Sequence, residues 1–209
     1  MVYLINAENR WMFAADLVEM HRQRKAVFVD GAGWNVPVVD DMEVDRYDDG
    51  DTIYLISKAD TAHGPLLASA RLLPTERPHL MSDLFLHACH QPAPRGPSVW
   101  EVSRFCVSPL VCRSRRLALL WEMTCAVIET SLLFGVDCVT FVANRALLPL
   151  VLDCGWQAHT LGPTLPDGTD ELTAVAAGIT PQALQAVRMR YGVRGPVTRF
   201  PTPAVPIAA

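Results

Sequence analysis

Eight residues in the first half of the chain have types that chemistry asks for and packing does not: Arg24, Phe28, Trp34, Asp45, Asp48, Arg71, Glu101 and Arg104. Three arginines and three carboxylates interleaved with two large rings suit a pocket for a small zwitterion that carries a further positive charge. A guanidinium holds a carboxylate, carboxylates hold an ammonium, and ring faces attract a second cation.

The elements that must position these residues follow from patterning. Apolar Trp11, Leu17, Val18 and Met20 among polar neighbours predict an amphipathic helix over 8–26, which carries Arg24. Residues 30–50 switch to loop chemistry: Gly31, Gly33 and Pro37 break regular structure, and seven carboxylates between Asp40 and Asp51 face the single Arg46. Strands are expected at 51–57, 66–73 and 100–107, so Arg71, Glu101 and Arg104 lie on strands. On a regular strand Glu101, Ser103 and Phe105 share one face and Arg104 points to the other, unless a bulge intervenes. Between the second and third strands, residues 81–90 read as a helix capped by Ser82.

The second half alternates more regularly. Residues 114–134 form a long, mostly apolar helix that stops at Gly135 and should lie across the sheet. A strand at 137–143 leads to Asn144, which caps a helix through Asp153 that Pro149 either kinks or truly starts. The segment 156–162, a turn, a strand at 171–179 and a last helix opened by Thr180 and Pro181 complete the chain.

Composition narrows the class. Of 209 residues half are hydrophobic and 19% charged, enough for one well-buried domain, placed at 1–192, with a Pro-rich tail at 193–209. A net charge of -4 argues against nucleic acid as partner, since neutralising a phosphate backbone needs a basic stripe. No stretch reaches the roughly 18–20 apolar residues of a membrane helix, and the N-terminus lacks a signal-peptide layout, so a cytoplasmic protein that does not enter membranes is expected. The six cysteines have no CxxC pair and read as buried thiols. His87 and His90 lack a third ligand, so no metal site is expected.

The order of elements gives an α/β/α sandwich with a mixed central sheet, similar to acyltransferases of the N-acetyltransferase superfamily. Within it the chain resembles the LuxI-type acyl-homoserine lactone synthases, the autoinducer synthases of bacterial quorum sensing, over about residues 1–190. RQRKAVFVDGAGW supplies that family's Arg24, Phe28 and Trp34, and EVDRYDD its Asp45 and Asp48. ASARLLPT supplies Arg71, and WEVSRFCV supplies Glu101 and Arg104.

The resemblance implies two substrates and no cofactor: S-adenosylmethionine gives the homoserine lactone moiety and an acyl thioester gives the acyl chain. Amide formation precedes lactonisation, with release of methylthioadenosine. On this basis Phe28 and Trp34 pack on the methionyl and adenosyl parts, and Arg71 or Arg104 holds the carboxylate. Arg24, Asp45 and Asp48 form a polar cluster over the substrate, Asp48 being grouped with Glu101 and Arg104 as the catalytic set. Glu101 is the candidate base for the α-amine. Arg113, Arg115 and Arg116, beside a helix N-terminus, are the candidate anion site for the carrier's phosphate. Leu120, Met123, Thr140, Phe141, Val142, Leu147 and Leu150 are the candidate acyl-pocket lining.

The donor is acyl carrier protein in most of the family and a coenzyme A thioester in a subgroup, which the 43–57 and 72–85 segments resemble. The stretch from Pro109 to Leu117 has no glycine, unlike the pyrophosphate loop of simple acetyltransferases. A coenzyme A dependent N-acetyltransferase and a noncatalytic acyl-binding relative are the alternatives. A monomer or weak dimer is expected.

Overall fold

The computed structural model describes residues 1–59, 64–168 and 170–201. In chain order the elements are β1 (Val2–Ile5), α1 (Ala14–Arg24), the hairpin β2 (Val38–Val39) and β3 (Met42–Glu43), β4 (Ile53–Lys58), β5 (Leu66–Pro74), α2 (Leu80–Asp83) and β6 (Val99–Val107). They continue as α3 (Arg113–Leu133), β7 (Cys138–Asn144), α4 (Leu148–Leu152), β8 (Gln157–Thr160), β9 (Leu165–Asp167), β10 (Asp170–Gly178), α5 (Pro181–Tyr191) and β11 (Thr198–Arg199). Nine strands make one sheet in the order β11-β1-β4-β5-β6-β7-β10-β8, with β9 also on β10. The sheet is mixed: β6 with β7 and β1 with β11 run parallel, and the other pairs antiparallel.

Strand alternation divides the chain's chemistry between two faces. Ala68, Ala70 and Leu72 of β5 join Val2, Leu4, Leu55, Trp100, Val139 and Val175 in the main core under α3. Met123, Ala126 and Ile128 supply the helix side of that core, and each large side chain so buried contributes about 1.5–3 kcal/mol. The Trp121 and Tyr191 rings stack at 3.7 Å and fasten α5 to α3. The opposite face of β5 carries Ser69 and Arg71, and there α1 packs Met20 against Ile5, Tyr54 and Ile56.

Strands β6 and β7 pair only at Val99 with Cys138, Trp100 with Val139 and Glu101 with Thr140. Beyond Glu101 each continues without the other, so the sheet splits between them.

Several expectations are revised in detail. The 8–26 helix is a 3₁₀ turn (Arg10–Phe13), then α1, then a π-helical turn over Lys25–Gly31. The 81–90 helix is one turn long: α2 is capped by His79, with Ser82 at its third position bonding back to the cap, and a 3₁₀ turn covers Leu86–Ala88. Pro149 marks the start of α4 rather than a kink, and Asn144 accepts the Leu147 amide at 3.0 Å one turn earlier. Thr180 caps α5 by accepting the Ala183 amide at 3.0 Å, with Pro181 in the first turn.

Part of the proposed tail is tied down, because β11 pairs with β1 and Glu129 of α3 accepts the Val197 and Thr198 amides at 3.1 and 2.8 Å. Residues 202–209 lie outside the described set. No helix among the described residues is long and apolar enough to cross a membrane.

Candidate active site

Arg24 ends α1 facing the sheet, Glu43 ends β3, Asp45 and Asp48 sit on the turn that follows, and Arg71 and Arg104 project from β5 and β6. The turn is built by its own acids: the Asp45 amide donates to Asp48 Oδ2 at 2.9 Å and the Tyr47 amide to Asp45 Oδ1 at 2.9 Å. The six charged side chains close into an alternating ring. Arg24 donates to Glu43 at 2.5 Å, Glu43 accepts from Arg104 at 3.0 Å, and Arg104 donates to Asp45 at 2.8 Å. Asp45 accepts from Arg71 at 2.6 Å, Arg71 pairs with Asp48 at 3.0 Å, and Asp48 accepts from Arg24 at 2.7 Å. Tyr54 donates to Asp48, and Ser103 accepts from Arg71 Nε at 3.0 Å.

Burial and charge oppose each other throughout the ring. Burial would lower the Arg24 pKa, yet the hydrogen bonds and charges of Asp48 and Glu43 hold it raised. Burial would raise the Asp48 carboxyl, but Arg24 and then Arg71 keep it well below the usual carboxylate range. Arg71 is raised against its burial by Asp45 and Asp48.

A bulge resolves the strand-face conflict at Arg104. Ser69 pairs with Cys106 and Arg71 with Ser103, so β6 spends one extra residue there, and Arg104 adopts φ 50°. Ser103 and Arg104 thereby both reach the face that carries Arg71. The Arg104 guanidinium lies 5.8 Å from the Phe28 ring and 5.5 Å from the Trp34 ring, which stack on each other at 4.6 Å. The π-helical turn brings these rings together: the Ala32 amide reaches back to Val27 and the Trp34 amide to Phe28, with Gly33 at φ 71° in between.

Glu101 stands on the same strand but outside the ring. Its two oxygens accept the Leu80 and Met81 amides at 3.1 and 2.6 Å, at the start of α2. Burial pushes its carboxyl up to about 7, with those two amides pulling the other way.

Arg113, Arg115 and Arg116 occupy the exposed first turn of α3. Arg116 donates to the carbonyls of Val111 and Pro109, while Arg113 and Arg115 make no ion pair among the described residues. A groove of about 320 Å³ runs beside them, lined by Leu66, Leu67, Ser108, Leu110, Cys112 and Arg115. Cys112 is exposed at the cap of α3, unlike the buried Cys106, Cys125 and Cys154.

The proposed acyl lining does not form one wall. Leu120, Met123, Phe141 and Leu147 belong to the core under α3, whereas Val142 packs with Met81, Ala88 and Ala174 on the other face. Thr140 is buried with its hydroxyl unpartnered, and Leu150 is largely at the surface. Sequence reasoning missed Glu43, which is fully buried and bonds two of the ring's arginines, as well as Tyr54 and Ser103. The signal for Glu43 was its place at the head of the EVDRYDD block. Among the described residues no group of three or more His, Cys, Asp or Glu side chains is arranged to hold a metal.

The autoinducer synthase family model matches residues 8–186. An isovaleryl-homoserine lactone synthase of Bradyrhizobium diazoefficiens is 33% identical over 198 residues, covering 92% of this chain and 86% of that protein. The structure of the CoA-dependent acyl-homoserine lactone synthase BjaI with SAM and isopentyl-CoA is similar at a TM-score of 0.86 and 29% identity, covering 98% of this chain and 95% of that one. An acyl-CoA N-acyltransferase from Pseudomonas aeruginosa, 19% identical with a TM-score of 0.55 over 84% of this chain and 98% of its own, shares the fold. The family match spans the ionic ring, the split between β6 and β7 and the long helix α3 together, and the chain belongs to the autoinducer synthase family.

Proposed function

We propose that this protein joins the amino acid portion of S-adenosylmethionine to an acyl group from coenzyme A, giving an N-acyl-L-homoserine lactone, methylthioadenosine and free coenzyme A. The observation that carries this is the ring of three arginines and three acids beside the stacked Phe28 and Trp34, a setting for a zwitterion with an attached cation. In the proposal Arg104 holds the substrate carboxylate, Phe28 and Trp34 face the methionyl and adenosyl parts, and Arg24, Arg71, Asp45 and Asp48 fix the floor. Both substrates bring their own activation, a sulfonium and a thioester, so no cofactor is assigned.

Acylation needs the α-amine neutral, and an α-amino group has a pKa of about 7.7–8.0. Glu101, raised to about 7, is well matched to take that proton near neutral pH, directly or through one water. The split beyond Glu101 and Thr140 is the place for the thioester, between the amine on one face and the carrier arriving at α3. Arg113, Arg115 and Arg116, with the positive end of the α3 helix dipole, receive the phosphates of coenzyme A. Val142 and Thr140 stand nearest the split on the Glu101 face and take the start of the acyl chain. Lactonisation then follows as the carboxylate oxygen displaces the thioether. The protein's part in that step is to hold a near-attack shape, an effect worth up to about 7–11 kcal/mol.

Coenzyme A is favoured over acyl carrier protein because the matched relatives include an isovaleryl-homoserine lactone synthase and a synthase solved with isopentyl-CoA. The protein is placed in the cytoplasm, where both substrates are made, as a monomer or weak dimer. Incubation with S-adenosylmethionine and a panel of acyl-CoA and acyl carrier protein donors, read by mass spectrometry, tests the reaction and its donor. Lactone and methylthioadenosine from acyl-CoA are expected. An acetylated amine without methylthioadenosine would favour an acetyltransferase, and lactone from the carrier protein alone would move the donor.

A further inference from the structure

The six-membered ring has no vacancy. Each guanidinium touches two carboxylates and each carboxylate two guanidiniums, three positive charges against three negative. A ligand that brings one charge must leave an uncompensated charge in a buried site, which is strongly unfavourable. A zwitterion inserted across one edge does not: its carboxylate meets the freed arginine, its ammonium meets the freed acid, and the alternation of signs is kept.

One edge is suited to open. The Arg104 and Asp45 side chains are 7% and 8% accessible, while the other four ring members are at 2% or less. Arg104 and Asp45 share a single hydrogen bond; Arg24 with Glu43 also has one and Arg71 meets Asp48 as an ion pair, but both of those edges are buried, and Asp45 with Arg71 and Asp48 with Arg24 are held by two bonds each. Arg104 rides on the bulge at φ 50° and stands over the Phe28 and Trp34 rings, so its displacement exposes an aromatic face next to the gap. We propose that the α-amino acid end of the substrate binds by inserting between Arg104 and Asp45, opening the ring at that edge and closing it again through itself. This rests on S-adenosylmethionine being the substrate, and it makes the paired charges a single recognition element rather than two separate contacts.

Four thioether ligands that share the adenosyl sulfur and differ beyond it decide the point in calorimetric titrations of the wild-type protein. S-adenosylhomocysteine has both charges, its decarboxylated analogue only the ammonium, its deaminated analogue only the carboxylate, and methylthioadenosine neither. Insertion predicts that S-adenosylhomocysteine binds at least about thirtyfold more tightly than methylthioadenosine, while neither singly charged ligand binds more tightly than methylthioadenosine. Two independent contacts predict a ladder, with both singly charged ligands in between. A ladder, or equal affinity for all four, overturns the insertion. Turnover of S-adenosylmethionine with acyl-CoA is measured on the same preparation. Lactone production alongside a ladder retires the insertion alone, and no lactone with any donor retires the synthase function itself.

Discussion

Replacing Glu43 by glutamine removes one negative charge from the ring while keeping the side chain's size. Glu43 is fully buried and accepts from Arg24 Nε at 2.5 Å and from Arg104 Nε and Nη2 at 3.1 and 3.0 Å. In Glu43→Gln three arginines face two acids, and an amide N–H group is turned toward a guanidinium. Breaking a buried ion pair from one side costs about 3–5 kcal/mol. In a chain of this length each kcal/mol lowers the melting temperature by about 2–4 °C, so a fall of about 6–20 °C is expected. Urea unfolding followed by circular dichroism measures the free energy directly. The double variant Glu43→Gln with Arg24→Gln restores neutrality and should lose at least about 1 kcal/mol less than the two single losses added together. A loss below about 1 kcal/mol in the single variant, or strict additivity in the double, would refute the charge balance on which the ring is built.

Glu101→Gln should abolish the rise in kcat through pH of about 7 while altering S-adenosylmethionine binding little, and an unchanged pH–rate profile would exclude Glu101 as the base. Because the folded pKa of Glu101 is raised, its contribution to stability is complete below the unfolded value of 4.5 and disappears as pH rises through about 7. The wild type should therefore lose about 3 kcal/mol relative to Glu101→Gln between those limits, readable from unfolding at pH 4.5 and 8. Combined Arg113→Ala and Arg115→Ala should raise KM for acyl-CoA about tenfold or more without changing KM for S-adenosylmethionine, and equal KM values for the donor would remove these arginines from its site. Gly162→Ala places a methyl group 2.2 Å from the Ala88 carbonyl oxygen, a backbone atom that cannot yield cheaply, so a loss of about 1–3 kcal/mol in unfolding free energy is expected.

How much was legible follows from how local each signal is. The alternation in β5 that sends Ala70 and Leu72 to one face and Arg71 to the other is written in consecutive residues, as is the cap and proline start of α5. Beyond its place at the head of EVDRYDD nothing marks Glu43, because an acid among seven in a loop looks solvated. Its burial comes from partners 19 and 61 residues away on α1 and β6. The direction of Arg104 turned on a bulge that exists only in the register between β5 and β6. The apolar run after Leu80 looked helical, but its first amides are claimed by Glu101 from a strand 20 residues on, and Met81 and Ala88 are drawn into a separate core cluster. Likewise β11 is a strand only because β1 offers it an edge.

The wide turn over Lys25–Gly31 makes the length of this segment as informative as its composition. Its hydrogen-bonded loop is one residue longer than that of an ordinary helix, so deletion of Val27 would be absorbed by relaxing to α-helical geometry without unravelling α1. Such a shortened protein would fold, yet Phe28 would be rotated by roughly 100° away from Trp34. Insertions and deletions here would thus separate folding from activity, and the spacing between Arg24 and Trp34 becomes a ruler for sorting working copies of this architecture from silent ones.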